Sequence, residues 1–393
     1  MIANTMDHAA MYLWPTGEQR LLLEAGLFSG QRAIDAFHAW RSRVQLEDDF
    51  SVETLRLLPL VYHNLHELGV SDPIMPRLKG VYRHSWYRTN RLMHATAPVI
   101  AALSGAGIPV LLTKGVPLAL SYYRNPALRP MADVDVVVPH ARLDEALGIL
   151  ARHGWRGEWP ESDMRRFRHA RQSWGPGDAE VDLHWRPMYE SPLGAAERSF
   201  FETAEPLDFK GTTVLQPDPT HALVQNVVHG VRWNVETPVR WIADAMTILR
   251  GRGADVDWDA VLHLADTHRV GQRLYLGLAY LAESFGCPIP QSALERLRAR
   301  RTTLFERFES RVVLDDDGTL DPSALRTQLS WFAEYARHTP ARNPISFALG
   351  YTHYVRYRFA VPGRRYILPR LLRSLARRTG GLIRGSRESG TTV

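Results

Sequence analysis

Apolar residues recur with a helical period through the first hundred positions of the chain. In residues 51–69, SVETLRLLPLVYHNLHELG, Ser51 stands at the N-cap position, an apolar stripe follows, and Gly69 ends the segment. Residues 90–107, NRLMHATAPVIAALSGAG, form another apolar-periodic segment that ends in glycines. We therefore predict an N-terminal helical region over residues 1–105.

Short strand patterns alternate with helical patterns between residues 106 and 216. The strand candidates are IPVLLT (108–113), DVDVVVP (133–139) and AEVDLHW (179–185). The segments KGVPLALSYYR and ARLDEALGILARHGW have a helical pattern and lie between these strands. Because strands and helices alternate in this way, we predict the fold class α+β (α/β), with a small mixed-sheet core over 106–216 flanked by helical regions.

Helical periodicity returns after the predicted sheet. In DPTHALVQNVVHG, Asp218 is placed to cap a helix, Pro219 takes the first helical position and Gly230 ends the segment. We predict a C-terminal helical domain over residues 217–345. Residues 346–393 are predicted to be a basic, partly disordered tail.

The positive charge of the chain is concentrated at its C-terminal end. The formal net charge is +6, and the segment from Arg356 onward contains ten arginines and a single acid, Glu388. Such a segment could make a weak contact with an anionic surface, either a membrane or an RNA. The alternative, which we favour, is a solvated helix face followed by a floppy end.

Composition predicts the cellular setting. No run approaches the roughly 18 consecutive apolar residues that span a bilayer, so we expect no stable membrane insertion. The first residues lack the pattern of a signal peptide, and Cys287 is the only cysteine. These features predict a cytoplasmic protein. Only three lysines occur beside many arginines, which is typical of a GC-rich bacterial genome.

Two aspartates stand one residue apart at the head of the strand in RPMADVDVVVP, residues 129–139. Side chains at i and i+2 share one face of a strand, so Asp133 and Asp135 point the same way. Asp182 lies in another strand candidate and could approach them. Three converging carboxylates repel one another unless cations bind, and two Mg²⁺ ions would make a site for nucleotidyl transfer. The alternative is a capped strand entry without a ligand.

A strand-to-helix turn, TKGVPL (113–118), provides candidates for phosphate binding. Gly115 allows close approach of a phosphate to the backbone, and Lys114 could neutralise its charge. Arg129, just before the aspartates, is the next candidate. The alternative for Lys114 and Gly115 is an ordinary turn with an exposed lysine. The alternative for Arg129 is a surface charge without a ligand.

Several side chains outside these motifs are further candidates. His184 shares a strand face with the third aspartate and could lie behind a metal or contact a phosphate; the alternative is a strand-end histidine. His221 and His229, eight residues apart, fall near one helical face. Arg240 and Asp244 have the spacing of a helical ion pair, and for Asp244 we favour a role in packing.

The segment LLTKGVPLALSYYRNPALRPMADVDVVV, followed by AEVDLHWRP, resembles the uncharacterised nucleotidyltransferase family of the DNA polymerase beta-like superfamily. That family has a Leu-Lys-Gly turn, then Arg-x-x-x-Asp-x-Asp at a strand, and a third acid in an Asp-Leu-His-Trp segment. The resemblance extends over about residues 50–290, including the helical segments HALVQNVVH and RWIADAMTIL. It implies a minimal nucleotidyltransferase sheet with flanking helices.

The resemblance also implies roles for individual residues. Asp133 and Asp135 match the paired metal ligands, and Asp182 matches the third carboxylate. The ions would be two Mg²⁺, with Mn²⁺ as the alternative. The helical segment that carries His221 would form a wall of the nucleotide pocket.

The turn departs from the wider superfamily at one position. Gly115 matches the glycine of the superfamily's Gly-Ser turn, but Val116 stands where serine is usual. Lys114, which precedes the glycine, would take over the contact to the triphosphate.

The function that we expect is a Mg²⁺-dependent nucleotidyltransferase that uses an NTP such as ATP and releases pyrophosphate. The acceptor is open between a small molecule, a peptide, a protein and RNA. One alternative is a catalytically degenerate protein that binds a nucleotide or a partner without turnover. A second alternative makes the basic tail the functional part, attaching the protein to a membrane or to RNA.

Overall fold

The described part of the chain forms two compact units. The computed structural model describes residues 14–45, 48–157, 165, 167–191, 195–231, 239–302, 304, 306–308, 325–339, 343–359, 361–367 and 369. The first unit comprises residues 1–159 and 168–302, and the second comprises 160–167 and 303–393. The four-region division made from the sequence stays a prediction. None of the described helices is long and apolar enough to cross a bilayer.

Four helices precede the sheet among the described residues of the first unit: α1 (Gly17–Leu27), α2 (Gly30–Arg41), α3 (Val52–Glu67) and α4 (Met75–Gly105). The hydroxyl of Ser51 accepts a hydrogen bond from the Thr54 amide, which confirms Ser51 as the N-cap of α3. The α4 helix extends well before the predicted segment at residue 90, since polar residues occupy its exposed side there and obscure the period.

The sheet has six strands: β1 (Leu111–Thr113), β2 (Val134–Val137), β3 (Ala170–Trp174), β4 (Glu180–His184), β5 (Glu205–Phe209) and β6 (Thr212–Gln216). Their order is β3-β4-β2-β1-β6-β5. The β2–β4 and β1–β6 pairs are parallel and the other pairs are antiparallel. The mixed sheet confirms the predicted fold class, and β1, β2 and β4 are the three predicted strands at its centre.

The outer strands lie in segments whose sequence has a weaker strand pattern than the segments of the central strands. β5 and β6 form a hairpin whose two-residue turn is Lys210–Gly211, and both turn residues have positive φ. This is the geometry of a type I′ turn, which glycine favours. The Lys-Gly pair between two alternating segments is therefore a signal that predicts this hairpin.

One face of the sheet packs against helices and the other carries the polar residues. Two short elements follow β1 along the chain, α5 (Gly115–Pro117) and a π-helical turn (Leu118–Tyr122), and α6 (Leu143–Arg152) follows β2. Apolar residues of α4, α6 and the central strands form one buried core: they include Val99, Leu103, Leu147, Val134, Val136 and Leu183. Because side chains alternate along β2, the burial of Val134 and Val136 in this core directs Asp133 and Asp135 to the opposite face.

The helix α7 (Ala195–Glu202) lies between β4 and β5 in the chain. The described helices that follow the sheet in the first unit are α8 (Pro219–Gly230), α9 (Arg240–Arg252), α10 (Trp258–His268), α11 (Gly271–Phe285) and α12 (Gln291–Ala299). The carboxylate of Asp218 accepts hydrogen bonds from the Thr220 and His221 amides, which confirms the predicted cap of α8.

The second unit contains α13 (Leu325–His338) and α14 (Pro344–Arg358). Its apolar cluster comprises Phe167, Trp331, Tyr335, Tyr354, Val355 and Phe359. Part of the predicted basic tail, residues 346–393, is therefore packed helix, with Tyr354 fully buried. Residues 370–393, which make up half of the predicted basic tail, lie outside the described residues.

Candidate active site

Two of the predicted aspartates are partners across the centre of the sheet. β2 and β4 are parallel neighbours, and their register places Asp135 opposite Asp182. Partners in a parallel pair project from the same face, so the two carboxylates converge. Asp135 is buried, whereas the Asp182 side chain is a quarter exposed. The sheet therefore brings together residues that are 47 positions apart in the sequence.

His184 lies between these two carboxylates. Its Nε2 is 3.0 Å from Asp135 Oδ1 and 3.2 Å from Asp182 Oδ2. The ring is fully buried, and its Nδ1 has no hydrogen-bond partner in the described part of the chain. With a proton on Nε2, the imidazole donates to both carboxylates and relieves their repulsion.

Lys114 provides a second cation for the same carboxylate. Its Nζ donates to Asp135 Oδ1 across 2.6 Å. The residue adopts φ 54° and ψ −108°, a conformation that costs a non-glycine residue roughly 1–3 kcal/mol. The turn thus holds the lysine against Asp135. An ordinary turn, which was the alternative, would leave the lysine exposed.

Gly115 lies close to the side chain of Met131. A Cβ at this position would lie 3.3 Å from Sδ and 3.4 Å from Cβ of Met131. The next residue, Val116, is fully buried in the apolar core, so the chain places no hydroxyl there. The turn lacks the serine contact of the wider superfamily.

Cations and burial act differently on Asp133, which precedes β2, and on Asp135 within it. Burial raises the pKa of Asp135, but Lys114 and His184 outweigh it and hold this pKa well below its usual range. Burial and the charge of Asp135 raise the pKa of Asp133 to about 6. Asp133 is therefore a carboxylate whose ionised form is poorly compensated by the protein.

The imidazole responds to the same charges. Burial lowers the pKa of His184, but Asp182 and Asp135 outweigh it, so this pKa is raised above its usual value. The imidazolium form is thus favoured while its neighbours are ionised.

The donor set fits a divalent cation. One ligand atom from each of Asp135, Asp182 and His184 lies within 4.8 Å of the others. Carboxylate oxygens suit Mg²⁺ and Mn²⁺, and an added imidazole nitrogen suits Mn²⁺ better. In this arrangement a cation would replace the Nε2 proton and the Lys114 ammonium beside Asp135. Asp133 lies outside this three-residue cluster.

A cavity of about 430 Å³ opens beside the cluster. Among the sequence-predicted residues, its lining includes Lys114, Gly115, Arg129, Asp133, Asp135 and Asp182. Asp133, though outside the cluster, thus faces the same space as the other two aspartates.

A second charged group lines the cavity, and no local sequence pattern predicts it. Nε of Arg129 donates to both oxygens of Asp244, at 2.9 and 3.0 Å, and both side chains are buried. The Tyr123 hydroxyl donates to the same carboxylate at 3.0 Å. Asp244 thus pairs with Arg129, 115 positions away, and this finding corrects the expected ion pair with Arg240 on the same helix. Arg129 is not a surface residue.

Arg240 is the least compensated cation in this second group. Its Nη1 donates to the carbonyl of Pro130, and no carboxylate of the described residues lies within ion-pair distance. Burial and the charge of Arg129 lower the pKa of Arg240 to about 9. Arg56 and Glu53, which pair with each other on α3, complete the group. Glu53 is buried although it belongs to a helix that the sequence marked as flanking.

The two histidines of α8 have different surroundings. His221 Nδ1 contacts Asp218 Oδ2 at 2.5 Å, and its ring packs edge-on against Phe200. The structure does not bring His221 to the cavity, whereas His229 lines it. A helix of 3.6 residues per turn moves these positions about 80° apart over eight residues, enough to separate a buried ring from a lining one.

The family comparison agrees with this geometry. The model of the family described as uncharacterised nucleotidyltransferase matches residues 51–286, more than half of the chain. The chain therefore belongs to that nucleotidyltransferase family. No curated protein matches the sequence.

Two solved structures show limited similarity to the chain. An antigenic nucleotidyltransferase-like protein from Paracoccidioides brasiliensis is 17% identical, with a TM-score of 0.35, over 53% of this chain and 94% of its own. ANT(2")-Ia in complex with adenylyl-2"-tobramycin is also 17% identical, with a TM-score of 0.31, over 46% of this chain and 95% of its own.

Proposed function

We propose that this protein transfers a nucleoside monophosphate from an NTP to an acceptor and releases pyrophosphate, with Mg²⁺ or Mn²⁺ as the required ion. The observation that carries the proposal is the parallel register of Asp135 and Asp182, which places two carboxylates next to His184 at the wall of a cavity of about 430 Å³. Membership in the nucleotidyltransferase family supports the reaction type.

Asp135 and Asp182 would hold the divalent cation, with Asp133 and His184 as further ligands for one or two ions. A bound divalent cation in such a site neutralises phosphate charge and lowers the pKa of a hydroxyl that it touches. Asp182, the more exposed carboxylate, would take the proton of the acceptor hydroxyl. The acceptor oxygen then bonds to the α-phosphorus while the bond to the bridging oxygen breaks, and pyrophosphate leaves with that electron pair.

The cations of the cavity would hold the triphosphate. Lys114 would exchange its contact with Asp135 for a phosphate oxygen once a metal neutralises the carboxylate. Gly115 keeps the backbone of the turn accessible, and Arg129 together with Arg240 adds positive charge along the wall. A reducing cytoplasm, where NTPs are abundant, is the compartment that fits this chemistry.

The proposal is tested by calorimetric titration of ATP in the presence of Mg²⁺ or Mn²⁺. The parent protein should bind the metal–nucleotide complex, and the double variant Asp133→Asn/Asp135→Asn should lose most of that affinity. Asp208→Asn, an exposed aspartate on the edge strand β5, is the matched control and should bind like the parent. The proposal fails if the parent does not bind, or if the double variant binds unchanged.

One observation favours a second function, which is nucleotide binding without turnover. Val116 is buried where the superfamily has a serine, and Lys114 occupies the Asp135 carboxylate. This alternative predicts binding of the metal–nucleotide complex with no pyrophosphate release on any acceptor. Pyrophosphate release that Asp135→Asn abolishes would eliminate it.

A further inference from the structure

The α4 helix carries a row of positive charge. Its 31 residues contain five arginines and lysines and no aspartate or glutamate. Two histidines, His84 and His94, are also exposed on it. We define the basic face of α4 by its exposed cations and aromatics, which are Lys79, Arg83, Trp86, Tyr87, Arg88 and Arg91.

The four cations of this face are unpaired within the part of the chain that the structure describes. No carboxylate lies within ion-pair distance of Lys79, Arg83, Arg88 or Arg91. Elsewhere in the same unit exposed arginines do find acids, as Arg296 finds Asp259. The positive charge of the basic face is therefore not neutralised by ion pairs among the described residues, although Asp178 lines the same groove as Arg88 and Arg91.

Two large aromatic side chains stand among these charges. Trp86 is 52% exposed and Tyr87 is 58% exposed. The opposite side of the helix is committed to the core through Leu92, Met93 and Val99. An exposed pair of aromatics rimmed by cations marks an interaction surface rather than part of the core.

The basic face is fixed relative to the aspartates. Ser85 Oγ donates to the carbonyl of Ala127 at 2.7 Å, which ties α4 to the loop before Arg129. Arg88 and Arg91 line a small groove together with Met131 and Ala132. Met131 and Ala132 also line the cavity that contains Asp133. The groove and the candidate active site thus share a wall.

We infer that the acceptor is a single-stranded nucleic acid that lies along the basic face of α4, with its end entering the cavity past Met131 and Ala132. Arginine and lysine neutralise phosphates, and exposed Trp and Tyr rings stack on unpaired bases. From Lys79 to Arg91 the helix rises by about 18 Å, which matches about five nucleotides of a stacked strand. This inference rests on the proposed function, because it names the substrate class of that reaction.

A membrane surface fits these observations less well. An interfacial helix must turn a broad apolar face toward the lipid. The apolar face of α4 is already buried in the core, and only two aromatics remain outside it. A single strand uses what the face offers, which is a row of charges with stacking platforms between them.

The test is fluorescence anisotropy of a labelled single-stranded oligonucleotide of about ten nucleotides, without NTP or divalent metal. We expect Arg83→Ala/Arg91→Ala to weaken binding and to reduce the slope of log affinity against log salt by about 1.4. Trp86→Ala should weaken binding about tenfold with the slope unchanged, and Trp86→Phe should restore it. Arg298→Ala/Arg301→Ala, which removes the same charge from exposed positions outside α4, should change little.

Each outcome decides the inference separately from the proposed function. It is overturned if the oligonucleotide does not bind, or if both arginine pairs weaken binding equally. It is also overturned if a duplex of equal length binds as tightly as the single strand and Trp86→Ala has no effect. Tighter, α4-dependent binding to vesicles rich in phosphatidylserine would replace it with a membrane surface. In all these cases metal–nucleotide binding through Asp135 would still support the proposed function.

Discussion

Asp135 and Asp182 are direct partners in the parallel ladder between β2 and β4, and a single imidazole nitrogen, Nε2 of His184, lies within 3.2 Å of both carboxylates. This nitrogen and the Lys114 ammonium neutralise the carboxylates between which a divalent cation would bind. The protein thus places its own cationic groups at a donor set that can hold a divalent cation. A divalent cation must therefore compete with the His184 proton and the Lys114 ammonium for these carboxylates.

Asp133 should make the stability of the metal-free protein depend on pH. Its pKa in the folded protein is about 6, above the ordinary value of 3.8. A raised carboxyl pKa contributes stability that is present below pH 4 and is lost as the pH rises through 6. Asp133→Asn should therefore raise stability at pH 7.5, by on the order of 1–2 kcal/mol, and leave it unchanged at pH 4.

The measurement for Asp133 is thermal denaturation in EDTA at several pH values, monitored by circular dichroism. Asp208→Asn removes an exposed carboxylate of the same sheet and provides the control, which should melt like the parent at every pH because it retains Asp133. An equal melting temperature for Asp133→Asn and the parent at pH 7.5 would contradict the prediction.

Lys114→Met should have opposite effects on stability and on metal binding. Without metal, the change leaves the buried Asp135 carboxylate with only His184 and should cost about 2 kcal/mol. With metal, the ion no longer displaces an ammonium from Asp135 Oδ1, so its affinity should rise. Melting temperatures with and without Mn²⁺ should separate the two effects, and a loss of metal affinity would contradict this account.

His184 should bias the site toward Mn²⁺ over Mg²⁺. An imidazole nitrogen is a good ligand for Mn²⁺ and a poor one for Mg²⁺, which prefers oxygen. Replacing it in His184→Gln should reduce the ratio of Mn²⁺ to Mg²⁺ affinity by about tenfold. Calorimetric titration of each ion gives this ratio directly. A ratio that stays unchanged would show that His184 does not bind the ion.

The Arg129–Asp244 pair should be strongly coupled. Arg129→Met leaves a buried carboxylate whose remaining hydrogen bond comes from Tyr123, and the change should cost about 3–5 kcal/mol. The double variant Arg129→Met/Asp244→Leu removes both charges and should recover a large part of that loss. A double-mutant cycle on melting curves measures the coupling, and additive losses would contradict it.

Much of this protein is determined by local sequence. Ser51 and Asp218 cap helices where the sequence places them, because a side-chain oxygen next to free helix amides needs no distant partner. The alternation in DVDVVV determines which residues of β2 face the apolar core and which face the site, since successive side chains of a strand point to opposite faces. Asp133, Asp135, Lys114 and Gly115 were therefore identifiable as candidate residues from the sequence. The resemblance to the family assigned them to one site.

Tertiary structure alone decided which of these candidates meet. The sequence does not state that β2 and β4 are parallel neighbours, nor that their register aligns Asp135 with Asp182 rather than with a residue one position away. It likewise gives no sign that Arg129 reaches Asp244 across 115 positions, or that His229 lines the cavity while His221 does not. These are contacts between distant segments, which depend on how buried faces pack and leave no periodic trace in either segment.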